Sequence, residues 1–166
     1  MKKICLLITV AVFQLIYING LQAQTTQTKP NQVELVKKLI GNWQAEWTDT
    51  IYNWEAKTFG MGLECHYNFK SLAKDKIVLE GKQLWGYDSK LDKYIGIDLM
   101  KGRDIEILAL WFTSDNKYIG TDFNNISDPD KSSWKVEGEI KSSDAFSETW
   151  FVKGKPFTTI DYKRIK

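Results

Sequence analysis

A period of two in the side chains, renewed from one short segment to the next, constrains this chain more than any other feature. Trp43, Ala45 and Trp47 alternate with Asn42, Gln44, Glu46 and Thr48. Met61, Leu63, Cys65, Tyr67 and Phe69 alternate with Gly62, Glu64, His66, Asn68 and Lys70. Trp134, Val136, Gly138 and Ile140 alternate with Lys135, Glu137, Glu139 and Lys141. Neighbouring side chains of a strand point to opposite faces, so each segment reads as a strand with one dry and one wet face. Further strands are expected over 76–85, 93–100, 105–113, 117–124, 145–152 and 156–164.

The segments between them are short and polar: Ala73–Asp75, Tyr87–Lys90, Lys101–Asp104, Ser114–Asn116, Ser127–Asp130, Ser142–Asp144 and Lys153–Lys155. None is long enough for the crossover a parallel pair requires, so successive strands are antiparallel neighbours. A meander of about nine strands leaves two open edges unless the sheet closes on itself. The expected fold is all-β, an antiparallel up-and-down β-barrel of about 8–10 strands with a short N-terminal helix. A two-sheet β-sandwich satisfies the same alternation. Asn31 is placed to cap the helix, with Glu34 reaching back as in a capping box. Val33, Val36, Leu39 and Ile40 share one helical face, and Gly41 ends it.

Before the helix the chemistry is different. Met1-Lys2-Lys3 is basic, Ile4 to Ile18 is almost continuously apolar, and Leu21-Gln22-Ala23 offers a small-residue cleavage site. Residues 1–23 read as a signal peptide, 24–30 as a flexible leader and 31–166 as the barrel domain. The expected location is outside the cytoplasm, periplasmic or secreted, with no stable membrane anchor after cleavage. Cys5 leaves with the signal, so Cys65 remains alone and no internal disulfide supports the fold. Lys2 and Lys3 leave too, so 21 basic side chains face 21 acidic ones in the mature chain. That balance provides no basic field for nucleic acid. A single histidine and a single cysteine are too few for a zinc or iron–sulfur cage, so no metal and no cofactor are expected. Nothing in the sequence requires a second subunit, and a monomer is expected.

The segment Leu39-Ile40-Gly41-Asn42-Trp43, a short helix running into Gly-x-Trp at the first strand, resembles the opening of lipocalin-like proteins of the calycin group. Gly86-Tyr87-Asp88, then Lys93-Tyr94-Ile95-Gly96, and the ending Tyr162-Lys163-Arg164 are similar to a secreted bacterial family of lipocalin-like domains of unknown function. The resemblance implies a barrel able to enclose a small apolar ligand. It also implies that Arg164, on the last strand, packs over Trp43, so both are assigned to structure. The chain departs from ordinary lipocalins in lacking a disulfide, a long lid loop with its own helix, and a helix after the barrel.

The seven tryptophans all lie beyond residue 23, mostly on the apolar phase of strands. Core packing is the ordinary role of such residues. A subset is expected to line a ligand cavity: Trp47, Trp85, Trp111 and Trp150. Trp54 and Phe59 lie in the apolar stretch Thr50–Gly60, which reads as an irregular loop at the barrel mouth, so they join the candidate ligand-binding set. Asp98 is in phase with Tyr94 and Gly96, and Glu148 with Phe146 and Trp150. If that phase faces inward, both are buried acids that need partners. His66 lies between Glu64 and Asn68 on a polar phase, and Cys65 reads as a buried structural thiol. No catalytic set emerges. The expected function is non-catalytic binding of a small, largely apolar molecule inside the barrel. Two alternatives carry different geometry: a carbohydrate-binding module on a β-sandwich needs an exposed row of tryptophans, and a small barrel enzyme needs His66 in a pocket with a carboxylate.

Overall fold

The computed structural model describes residues 29–166. The expected signal peptide (1–23) and most of the leader (24–30) therefore lie outside the described residues. A five-residue helix, α1 (Gln32–Val36), runs into a 3-10 turn (Lys37–Leu39). Ten strands follow: β1 (Gly41–Trp47), β2 (Thr50–Phe59), β3 (Gly62–Ser71), β4 (Lys76–Asp88), β5 (Lys93–Met100), β6 (Glu106–Phe112), β7 (Lys117–Asp122), β8 (Trp134–Ser142), β9 (Ala145–Val152) and β10 (Lys155–Arg164). Each pairs antiparallel with its sequence neighbours, and β1 pairs with β10 to close the sheet. The closed antiparallel up-and-down barrel is the expected fold, and closure rules out the two-sheet sandwich.

One strand exceeds the expectation. Thr50–Gly60 does not form a mouth loop. Residues 50–59 are β2, paired from Thr50↔Ser71 to Phe59↔Gly62 with β3 and from Gly41↔Ala56 to Trp47↔Thr50 with β1. The turn before it is only Thr48-Asp49, with Thr48 in the left-handed region at φ 52°. The hairpin after it turns at Gly60, where φ 57° suits a residue without Cβ. Tyr52, Trp54 and Ala56 form its inward phase, but Ile51 on the outward phase blurs the alternation.

α1 closes one end of the barrel. The Asn31 side chain accepts from the Glu34 amide at 3.2 Å, the expected cap. Glu34 does not reach back, because its carboxylate takes Lys37 Nζ at 2.6 Å instead. Leu35, Val36 and Leu39 are buried against the inward residues of β2, β3 and β6, whereas Val33 is only half-buried. Gln32 fixes the helix: its Nε2 donates to the Phe112 carbonyl at 2.9 Å and its Oε1 accepts from the Phe112 amide at 2.7 Å. The buried amide thus takes the place of a strand neighbour at the end of β6, where two backbone groups need partners.

The seam is sealed by side chains. The Arg164 guanidinium lies over the Trp43 ring, 4.1 Å from its centroid. Its Nη1 donates to the Ile40 carbonyl at 2.7 Å and its Nε to the Ser143 carbonyl at 2.8 Å. Trp43 Nε1 donates to the Leu39 carbonyl at 2.9 Å. Gly41, at φ 139°, leaves open the space that Arg164 occupies, since a Cβ there would collide with the guanidinium.

Candidate functional site

The end opposite α1 is formed by the β1–β2, β3–β4, β5–β6, β7–β8 and β9–β10 connections. From it a cavity of about 430 Å³ extends down to Val36 and Leu39. That volume falls within the roughly 300–1,000 Å³ usual for small-molecule sites. Its walls are mainly aromatic: Trp47 from β1, Tyr52 and Trp54 from β2, Phe69 from β3, Trp85 from β4, Trp134 from β8 and Trp150 from β9. Trp134 and Trp150 lie 5.7 Å apart with their planes tilted by 32°, and Tyr52 packs on Phe69 at 4.5 Å. Phe157, exposed at 65%, borders the cavity from β10, so apolar surface continues outward on that side.

Two carboxylates interrupt this apolar wall, and each accepts from a tyrosine two strands away. Across three consecutive strands Tyr118, Gly138 and Glu148 are in register. With no side chain on Gly138, the Tyr118 ring lies across β8, and a Cβ at that glycine would collide with the ring. The hydroxyl then donates to Glu148 Oε1 at 2.8 Å. Tyr162 Oη and Trp150 Nε1 both donate to Oε2, at 3.0 and 3.3 Å. On the other side, Tyr67 crosses Gly81 of β4 in the same manner and donates to Asp98 Oδ1 at 2.8 Å. Gln83 Nε2 donates to Asp98 Oδ2 at 3.0 Å, and Gln83 Oε1 accepts from Trp85 Nε1 at 3.2 Å. A tyrosine thus crosses a glycine to reach an acid on β3–β5 as on β7–β9, but Gly81 pairs with Met100 and Asp98 with Gln83, so the straight three-strand register belongs to Glu148.

Burial pushes the Glu148 carboxyl above its ordinary value, while its three donors pull it back part of the way. Burial, followed by the charge of Glu148, also raises the Tyr118 and Tyr162 hydroxyls well above theirs. Both therefore stay protonated and remain donors. Glu148 forms no salt bridge among the described residues, and no cation acts on its ionisation. Cys65, fully buried on the same inner face, has its thiol pushed up to about 12 by burial, which removes it as a nucleophile.

Among the expected ligand-binding residues, Trp47, Trp54, Trp85 and Trp150 line the cavity. Phe59 does not: it stands at the β2–β3 hairpin, at the α1 end, 56% exposed. Its position as a mouth residue fails because the segment is a strand that carries it to the far end. Trp111 does not either. Leu108, Leu110 and Phe112 take the inward phase of β6, which turns Trp111 outward beneath Lys93 Nζ, 3.6 Å from its ring centroid. Tyr52, Gln83 and Trp134 line the cavity without having been singled out, although Trp134 sits on an apolar phase that marked it.

His66 is on the outer face of β3, where its Nε2 meets Glu64 Oε1 at 3.0 Å and holds that carboxyl below its ordinary value. It borders a more open depression of about 610 Å³ on the outside of β1–β5. Asn53 and Asn68, which border it, are hydrogen-bonded to each other at 3.0 Å, and Asn53 also accepts from Gln44 at 2.9 Å. His66 thus stands outside the barrel, where Glu55 and Glu80 border the same depression, and it does not line the cavity that holds Glu148 and Asp98. Nor do the tryptophans make an exposed row: six belong to the inner face, and the outward one lies under a lysine.

The ten-stranded closed barrel, plugged by a short helix at one end, is consistent with a lipocalin-like fold. No protein-family model matches the chain, and no curated protein matches it.

Proposed function

We propose that this protein is an exported lipocalin-like binder of a small, largely apolar molecule, which it holds in the barrel interior without transforming it. The observation that carries this reading is the aromatic cavity of about 430 Å³, open at the end away from α1. Burying an apolar ligand there removes surface from water on both partners, and each buried methylene is worth about 0.8 kcal/mol. The inner aromatics are held by strand pairing on both sides, so the site exists before the ligand arrives and little ordering entropy opposes binding. Export rests on the basic start, apolar run and Leu21-Gln22-Ala23 site.

Native mass spectrometry with added 1-decanol tests the proposal. A one-to-one adduct that is lost on denaturation is expected. Ligand-free protein alone at saturating decanol would overturn the reading.

A further inference from the structure

Glu148 is an acid enclosed within the cavity, with aromatic rings around its carboxylate. Its three hydrogen-bond donors, Tyr118 Oη, Tyr162 Oη and Trp150 Nε1, are all neutral. Oε1 accepts from only one of them and so keeps a free acceptor direction. Tyr52 faces the same cavity, feels the charge of Glu148, and its hydroxyl makes no hydrogen bond among the described residues. Phe146 is stacked on Tyr162 at 4.2 Å, which adds another ring beside the acid. A buried carboxylate is stabilised by a paired cation. Ring faces are negative and attract cations as well. The protein supplies both kinds of cation partner around Glu148, none of whose donors is charged; Arg103, which also borders the cavity, lies at the β5–β6 turn and acts on Tyr67 beside Asp98 instead.

We infer that Glu148 and the surrounding rings of Tyr52, Tyr118, Trp150 and Tyr162 form a subsite for the protonated amine of an otherwise apolar ligand. This rests on the binding reading above and narrows it to one ligand class. The amine donates to Glu148 Oε1 and to the free Tyr52 hydroxyl, while its apolar body extends among Trp47, Trp134 and Phe69 towards the mouth. A ligand carboxylate is rejected at this subsite, because it would lie against Glu148 and like charges repel in a low dielectric; the guanidinium of Arg103 borders the cavity on the Asp98 side, away from these rings. An alcohol of the same length keeps the apolar contacts and loses only the charge-assisted bond.

The test compares decylamine, 1-decanol and decanoate by calorimetric titration of the full chain near neutral pH. Decylamine is expected to bind about tenfold or more tightly than 1-decanol, because one charge-assisted hydrogen bond is roughly that large. Decanoate is expected to bind least. Glu148→Gln should bring amine and alcohol to equal affinity, with the fold checked by near-ultraviolet circular dichroism. A second readout needs no variant: acidification that protonates Glu148 should collapse the preference for decylamine in the unaltered protein. Equal binding of amine and alcohol, tightest binding of decanoate, or a preference that survives Glu148→Gln or acidification overturns the inference and leaves the apolar-ligand reading intact. Failure of all three probes to bind overturns both.

Discussion

Replacing Tyr118 by phenylalanine removes one oxygen and leaves the ring, with its packing on Phe112 at 5.5 Å and its passage over Gly138, in place. The lost contact is the 2.8 Å bond to Glu148 Oε1, the only side-chain bond that Oε1 accepts among the described residues. A hydrogen bond to a charged group contributes about 1.5–3 kcal/mol net, so a loss of about 2 kcal/mol is expected when Glu148 is ionised. With an unfolding entropy of about 2.1 cal/mol/K per residue, that loss lowers the Tm of a barrel this size by about 7 °C. The pH dependence identifies the source. The folded Glu148 pKa lies above its unfolded value, so folding takes up a proton between the two and stability falls as pH rises through that window. Without the hydroxyl the folded pKa climbs further, and the window widens upward. The penalty of Tyr118→Phe is therefore small below the unfolded carboxylate pKa and reaches its full size above the variant's folded pKa. Urea unfolding of both proteins from about pH 4 to about pH 8 measures it. A penalty that stays constant over that range, or none at all, would refute the claim that Tyr118 holds an ionised acid.

Gly138→Ala forces the Tyr118 ring aside and is expected to cost about 1–3 kcal/mol. Gly86→Ala, where an added methyl meets nothing, is the control, and equal unfolding midpoints for the two variants would contradict the ring-over-glycine geometry. Gly41→Ala is expected to destabilise by a similar amount, by displacing Arg164 from Trp43. In a double-mutant cycle with Arg164→Ala the second change should cost less than the first, and strict additivity would count against the seam contact. Cys65 should resist a thiol reagent in the folded protein and react at the rate of an ordinary thiol once denatured. Rapid labelling of the native chain would mean that the inner face opens.

The alternation of Trp43–Trp47, Met61–Phe69 and Trp134–Ile140, with short turns between strands, narrows the fold to an antiparallel barrel or a two-sheet sandwich, and the pairing of β1 with β10 decides for the barrel. β2 escaped because Ile51 and Tyr52 are both apolar, so no face stands out until β1 and β3 pair with it. β6 failed differently. Ile105 to Phe112 is apolar on nearly every position, and only pairing with β5 and β7 decides that Trp111 turns outward. Glu148 and Asp98 were legible as inward acids from their phase. Their donors were not, since Tyr118 and Tyr67 reach them by crossing a glycine on the intervening strand, and register across three strands is not written in any one of them. Gln32 gave no signal either: a polar residue at the start of a helix is ordinary, and its role appears only where β6 ends without a partner.

The central claim, that the barrel interior is a binding site for apolar molecules, is tested most directly by the indole N–H signals in a ¹⁵N–¹H spectrum during titration with 1-decanol. The seven tryptophans divide into six on the inner face and Trp111 outside beneath Lys93. The account predicts that the Trp47, Trp134 and Trp150 signals shift together and saturably while Trp111 stays still. A shift confined to Trp111, or no shift in any indole at saturating decanol, would contradict it.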